Sequence, residues 1–150
     1  MNSVSNFAII KVSPDIRKVI LNAGKVYLGM QCLRVRDHFQ PLQCYACQGH
    51  GHKQGSEDCT FFGNDSAGSI CLYCSKNHKS KDCPVKRQPA KHVCVNCTHS
   101  SRPEHRANAN HTSTSLKCPF NVREINALIN RTVGISDLEA KKLKARMFSR

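Results

Sequence analysis

Cys44-Tyr-Ala-Cys47-Gln-Gly-His-Gly-His52, closed by Cys59, is the stretch on which the reading of this chain turns. Its pattern returns as Cys71-Leu-Tyr-Cys74-Ser-Lys-Asn-His78, closed by Cys83. A third copy opens with Cys94-Val-Asn-Cys97 and closes at Cys118, with His111 the favoured histidine between them and His105 its rival. Nine of the ten cysteines lie in these three groups, each a Cys-x2-Cys pair followed by a histidine and a closing cysteine.

That residue set has a chemical meaning. A structural Zn²⁺ site is a closed tetrahedron of four soft or borderline ligands, and three thiolates with one imidazole supply it. A two-residue gap lets one tight turn aim both sulfurs at a single ion, and a loop then returns the other two ligands. The spacing therefore predicts three zinc ions. Their ligands are Cys44, Cys47, His52 and Cys59; Cys71, Cys74, His78 and Cys83; and Cys94, Cys97, His111 and Cys118. His50 is an alternative in the first group, but it leaves only two residues after Cys47 and a longer closing loop. A disulfide framework fits less well. It needs an oxidising compartment, residues 1–30 show no charged start, apolar core and cleavage site, and it leaves the recurring histidines unexplained. A redox Cys-x2-Cys pair belongs to one active site in an α/β domain, not to three repeats.

Apolar residues divide the chain in the same way. Residues 1–42 hold 17 of Val, Ile, Leu, Met and Phe, residues 43–118 only eight, and the final 32 residues eleven. The middle cannot build an ordinary core and must take its stability from metal. Three regions are expected: 1–42, 43–119 with modules at 44–59, 71–83 and 94–118, and a basic helical tail at 120–150. The formal charge is +13, spread along all three, and three loaded sites would leave it at about +10. A distributed positive charge suits a flexible polyanion, with single-stranded RNA or DNA the obvious candidate. No apolar run is long enough to span a bilayer, so no membrane partner is expected.

The flanks read as small α+β structure. Residues 7–12 are β-branched and predict a strand. Ser13-Pro14-Asp15 predicts a helix start and Gly24 its stop, with Ile16, Val19 and Ile20 on one face. Val26-Tyr-Leu and Cys32-Leu-Arg-Val35 read as two strands turning near Gly29, with Cys32 an inert buried thiol. The order strand, helix, strand, strand is that of a partial ferredoxin or RRM-like unit, and a start so close to the first strand suggests a truncated N-terminus. After Cys118, Asn121 with Glu124 predicts one capping box and Ser136 with Glu139 another. Val122, Ile125, Leu128 and Ile129 form an apolar stripe, and the last helix is basic.

These elements together resemble the Gag-like protein of animal non-LTR retrotransposons. There an RRM-like domain runs into three CCHC zinc knuckles, the third reading Cys-x-Asn-Cys, then His, then Cys-Pro. Here those elements stand as Cys94-Val-Asn96-Cys97, His111 and Cys118-Pro119. The resemblance implies a non-catalytic protein that coats RNA into a ribonucleoprotein, self-associates within it and acts as a nucleic-acid chaperone, in the cytoplasm, the nucleus or both. Tyr45 and Gly51 are similar to features of retroviral nucleocapsid knuckles. An exposed Tyr45, with Tyr73 as its counterpart, offers bases a stacking face. Lys76, Lys79 and Lys81 crowd the second ligand loop, and Lys86, Arg87 and Lys91 lie in the proline-stiffened linker at 84–93, where ammonium and guanidinium groups meet phosphates. Phe61-Phe62 are expected to pack one knuckle on another, with a second stacking surface for bases as the alternative. A cellular CCHC RNA-binding protein and a zinc-stapled protein-interaction module are the competing readings. Catalysis is not expected, because closed four-ligand sites leave no coordination position for water.

Overall fold

A computed structural model describes residues 7–59 and 69–148 of the chain. Phe61 and Phe62 lie outside the described residues. Helix α1 spans Pro14–Ala23 for the reasons its sequence predicts. The Ser13 hydroxyl accepts from the Ile16 N–H at 3.5 Å, and Gly24 closes the helix in the left-handed region, donating to Ile20 and Leu21 carbonyls. Strands β1 (Lys25–Leu28) and β2 (Gln31–Arg34) pair antiparallel, with Val26 opposite Leu33 and Tyr27 opposite Cys32.

Two expectations fail here. Residues 7–12 form no strand, and Phe7, Ile9 and Ile10 stay exposed. Among the described residues no strand lies beside these positions to pair with, and an unpaired strand leaves its backbone groups to water. The observed unit is thus a helix and a hairpin in a small α+β fold. Cys32 is exposed rather than buried, because every residue of β2 is open to solvent.

At the other end, α4 (Pro119–Arg131) and α5 (Asp137–Phe148) pack together. Ile125, Ile129 and Ala140 are their buried core, joined by Phe39, Ile135, Met147 and Phe148. The stripe read from the sequence has found a partner. The Asn121 capping box, however, does not form. The helix begins earlier, with Pro119 in its first turn and Cys118 at the cap, and Asn121 is buried within it, donating to the Thr114 and Ser115 carbonyls. A proline with fixed φ at a first helical position explains the early start.

The second box is present. Glu139 Oε2 accepts from the Ser136 N–H at 3.0 Å, and the Ser136 hydroxyl accepts from the Glu139 N–H at 3.3 Å. The Ser136 backbone N–H, then its hydroxyl, hold the Glu139 carboxyl below its ordinary value. A carboxylate lowered in the folded state stabilises above its unfolded pKa and loses that contribution as pH falls through the folded one. Ser136→Ala is expected to lower stability by about 1 kcal/mol at neutral pH, and by less in acid, as urea unfolding at the two pH values would read.

The helix–hairpin unit has its own ion pair and touches the α4–α5 turn. Arg17 and Asp37 form a two-pronged ion pair, both contacts at 2.8 Å, with little of either side chain exposed. Gly134, at φ 81°, brings the α4–α5 turn against α1: a Cβ there would lie 2.7 Å from the Pro14 Cβ. Among the described residues, no helix is long and apolar enough to cross a membrane.

Candidate metal centres

Modules one and two are built by the same local device. The Cys44 N–H donates to the Gly49 carbonyl and the Cys71 N–H to the Lys76 carbonyl, each at 2.8 Å. The residue after the second cysteine, Gln48 or Ser75, takes a positive φ of 62° or 58°. That left-handed step is unfavourable for residues other than glycine. It bends the chain so that a short bridge closes behind it, Gln43 to His50 in one module and Ile70 to Asn77 in the other. Gly49 sits where only a glycine fits easily, since a Cβ would be 3.1 Å from His52 Cε1 and 3.2 Å from Cys47 Sγ.

Module three starts differently. Its Cys-x2-Cys pair lies at helix α2 (Val95–Thr98), and the long loop to its histidine contains helix α3 (Pro103–Ala107). The Cys94 N–H reaches across that loop to the Ala109 carbonyl at 2.9 Å. All three modules close alike. The N–H of Cys59, Cys83 or Cys118 donates to the carbonyl of a serine three residues earlier, Ser56, Ser80 or Ser115. This Ser-x2-Cys repeat is visible in the sequence, and only its structural meaning had to be seen.

In each module the four ligand atoms lie within 4.8 Å of one another: Cys44, Cys47, His52, Cys59; Cys71, Cys74, His78, Cys83; Cys94, Cys97, His111, Cys118. None of these cysteines is in a disulfide. The spacing fits an ion. Tetrahedral bonds of about 2.3 Å to sulfur put neighbouring sulfurs roughly 3.8 Å apart. Observed separations are 3.5 Å for Cys44–Cys59, 3.7 Å for Cys94–Cys118 and 4.0 Å for Cys97–Cys118. The sulfur-to-imidazole Nε2 distances are 3.2 Å at His52, 3.6 Å at His78 and 3.3 Å at His111. The three tetrads are therefore suited to hold metal ions.

Thiol acidity points the same way. Burial, then repulsion from neighbouring sulfurs, pushes Cys47 up to about 12 and Cys97 to about 11. Cys44 and Cys71 are held low against their burial by backbone N–H groups of their own turns. Cys118 is held low by Cys94, then by the nearby His50 ring, the Asn121 N–H and His111, against its burial. Each pocket thus holds one thiol low and pushes at least one neighbour up, and a bound cation removes that resistance.

The competing histidines occupy other places. His105 lies outside the third tetrad, with Nδ1 3.0 Å from the Ser100 hydroxyl and its ring edge-on to Phe120. The His50 ring is 3.3 Å from the Ser113 carbonyl and lies beside Cys118, in module three rather than in its own tetrad.

The modules are bonded to one another. Gln48, 4% exposed, is the junction. Its side chain donates to the Ile70 carbonyl leading into module two, and its own carbonyl accepts from Asn96 of module three at 3.0 Å. Gln43 donates to Ser113 Oγ at 2.7 Å, and Ser75 Oγ donates to the Val93 carbonyl. Sequence spacing gives no hint of these contacts. Gln48→Ala removes the side-chain bond to the Ile70 carbonyl without touching a ligand, and keeps the backbone carbonyl that Asn96 meets. It is expected to leave metal content unchanged and to destabilise by about 1–3 kcal/mol, with chemical-shift changes centred on Ile70.

The candidate nucleic-acid residues lie largely at the surface. Tyr45 is 66% exposed, and Lys76, Lys79, Lys81, Lys86, Arg87 and Lys91 are all exposed. Tyr73 is half-buried, its ring 5.2 Å from that of His92, so part of its face is already covered. Compared with protein-family models, with curated proteins and with solved structures, the chain matches none.

Proposed function

We propose that this chain is a zinc-dependent single-stranded nucleic-acid-binding protein of the Gag-like type, with one Zn²⁺ in each tetrad. The observation that carries the reading is a cationic surface on a metal-suited array: exposed lysines and arginine crowd module two and the linker that follows it, and Tyr45 stands free on module one. Zn²⁺ supplies folding energy at such sites, and as a closed four-ligand ion it leaves no position for a substrate, so the reading is non-catalytic. The lysines and arginines supply salt-sensitive affinity, and the tyrosine stacks on unpaired bases. RNA coating, chaperoning and residence in a cytoplasmic or nuclear ribonucleoprotein follow from the Gag-like reading. The exposed Tyr27, Leu28 and Met30 of the hairpin favour self-association within such a particle. The same hairpin is what a protein-interaction module would use, and a cellular CCHC protein would show the same knuckles.

Salt titration separates these readings. Log affinity for single-stranded RNA is expected to fall linearly with log salt, by about 0.7 per phosphate neutralised. Replacing Lys76, Lys79 and Lys81 together with alanine is expected to flatten the slope by up to roughly 2. Tyr45→Ala is expected to weaken binding by about 1–3 kcal/mol at every salt concentration, with the slope kept. Metal content stays constant in both variants. An interaction module would bind RNA weakly at physiological salt and ignore the Tyr45 change.

A further inference from the structure

We infer that the cleft between modules one and three is a second contact site, one that takes an unstacked nucleotide of the bound strand; this rests on the nucleic-acid reading above. The cleft has a volume of about 1100 Å³ and is lined by none of the tyrosines or lysines assigned so far. That is slightly above the usual range for a small-molecule pocket, roughly 300–1000 Å³. It suits a strand laid through an open groove better than a captured mononucleotide.

Its chemistry is that of a nucleotide. Ile70, Val95 and Phe120 contribute apolar lining, and the missing side chain of Gly49 leaves room beside them. Arg102, Arg123, His99 and His105 bring positive or titratable nitrogen to the same cleft, and among the described residues no carboxylate lines it. Phe120 is anchored against Cys94, Cys97, Ala109 and Cys118, so its ring is fixed by the third metal site itself. His105 meets the ring edge-on at 5.4 Å, and the Arg123 guanidinium lies 5.9 Å from its centroid. A flat aromatic group with a cation beside it matches a base joined to a phosphate. Arg123 is free to turn to that phosphate, because its present partner is Glu124, 3.2 Å away in a pair whose arginine is 71% exposed, and exposed pairs hold weakly. The Asn96-to-Gln48 bond ties the two modules on either side of the cleft. An acidic peptide would satisfy the arginines but would bring no planar group to Phe120.

The test uses the full, zinc-loaded chain and a single-stranded 12-nucleotide RNA carrying 5-iodouridine, photocrosslinked and mapped by mass spectrometry. Adducts are expected on Phe120 or His105 as well as on Tyr45. The double variant Arg102→Ala, Arg123→Ala is expected to bind the same RNA about tenfold more weakly with three metals retained. Adducts confined to Tyr45 and Tyr73, together with unchanged affinity of the double variant, would overturn the cleft site and leave the binding function standing. Absence of RNA binding by the parent chain would remove both. Polyglutamate that displaces the Phe120 or His105 crosslink as well as unlabelled RNA does would assign the cleft to an acidic polypeptide and overturn the inference.

Discussion

Chelating metal from the purified chain is expected to unfold residues 44–118. The buried clusters of modules one and three consist of the ligands themselves: Cys44 and Cys59 with Ala46, and Cys94, Cys97 and Cys118 with Ala109. Without an ion these are crowded thiols rather than a core. Structural zinc contributes about 10–16 kcal/mol in modules of this size, as much as the entire net stability of a small domain, about 5–15 kcal/mol. The flanks behave differently. The cluster of Ile125, Ile129 and Ala140 contains no ligand, and α1 and its hairpin are held by their own hydrogen bonds and the Arg17–Asp37 pair. Helical circular dichroism should therefore fall without disappearing, while amide signals from 44–118 collapse to the unfolded range. Elemental analysis of the untreated chain should find close to three Zn²⁺. Fewer than two tightly held ions, or unchanged spectral dispersion after chelation, would sink the zinc reading.

His111→Ala is expected to remove one of the three metal equivalents and to take module three with it. His111 is 7% exposed and 3.3 Å from Cys97 Sγ, with Ser113, 1% exposed, two residues on. Losing this site releases Cys118, which caps α4, and Asn96 and Ser113, which bond module one. The damage should thus spread to module one as lost Gln43 and Gln48 contacts. His105→Ala is expected to keep all three equivalents, because that ring meets Ser100 and Phe120 instead. Metal stoichiometry with amide spectra of both variants settles the assignment, and a reversed outcome would place the ligand at His105.

The readable parts of this chain are those where one residue type dictates one local geometry. Ser13, Pro14 and Gly24 set both ends of α1 because a hydroxyl acceptor, a fixed φ and a left-handed carboxyl end are needed within a few residues of each other. Ser136 and Glu139 set the start of α5 for the same reason. The first two tetrads could be read because short spacing leaves few histidines to choose from. In module three the spacing loses that power: thirteen residues separate Cys97 from His111, and His99 and His105 lie among them.

Tertiary contacts decided the rest. Residues 7–12 carry strand propensity, but a strand exists only where a second one pairs with it, and none does among the described residues. Asn121 looks like a cap in sequence; instead Cys118, drawn into the third tetrad, stands at the start of α4. Gln48, Asn96 and Ser113 bear no mark of a shared role, yet their hydrogen bonds turn three separate modules into one body with a cleft between the first and third. By itself the sequence determined the first two donor sets, both ends of α1, the start of α5 and the positive charge, since each depends on residues close in the chain. The strand count, the third histidine and the joining of the modules depend on which distant groups meet, and only the folded chain decides that.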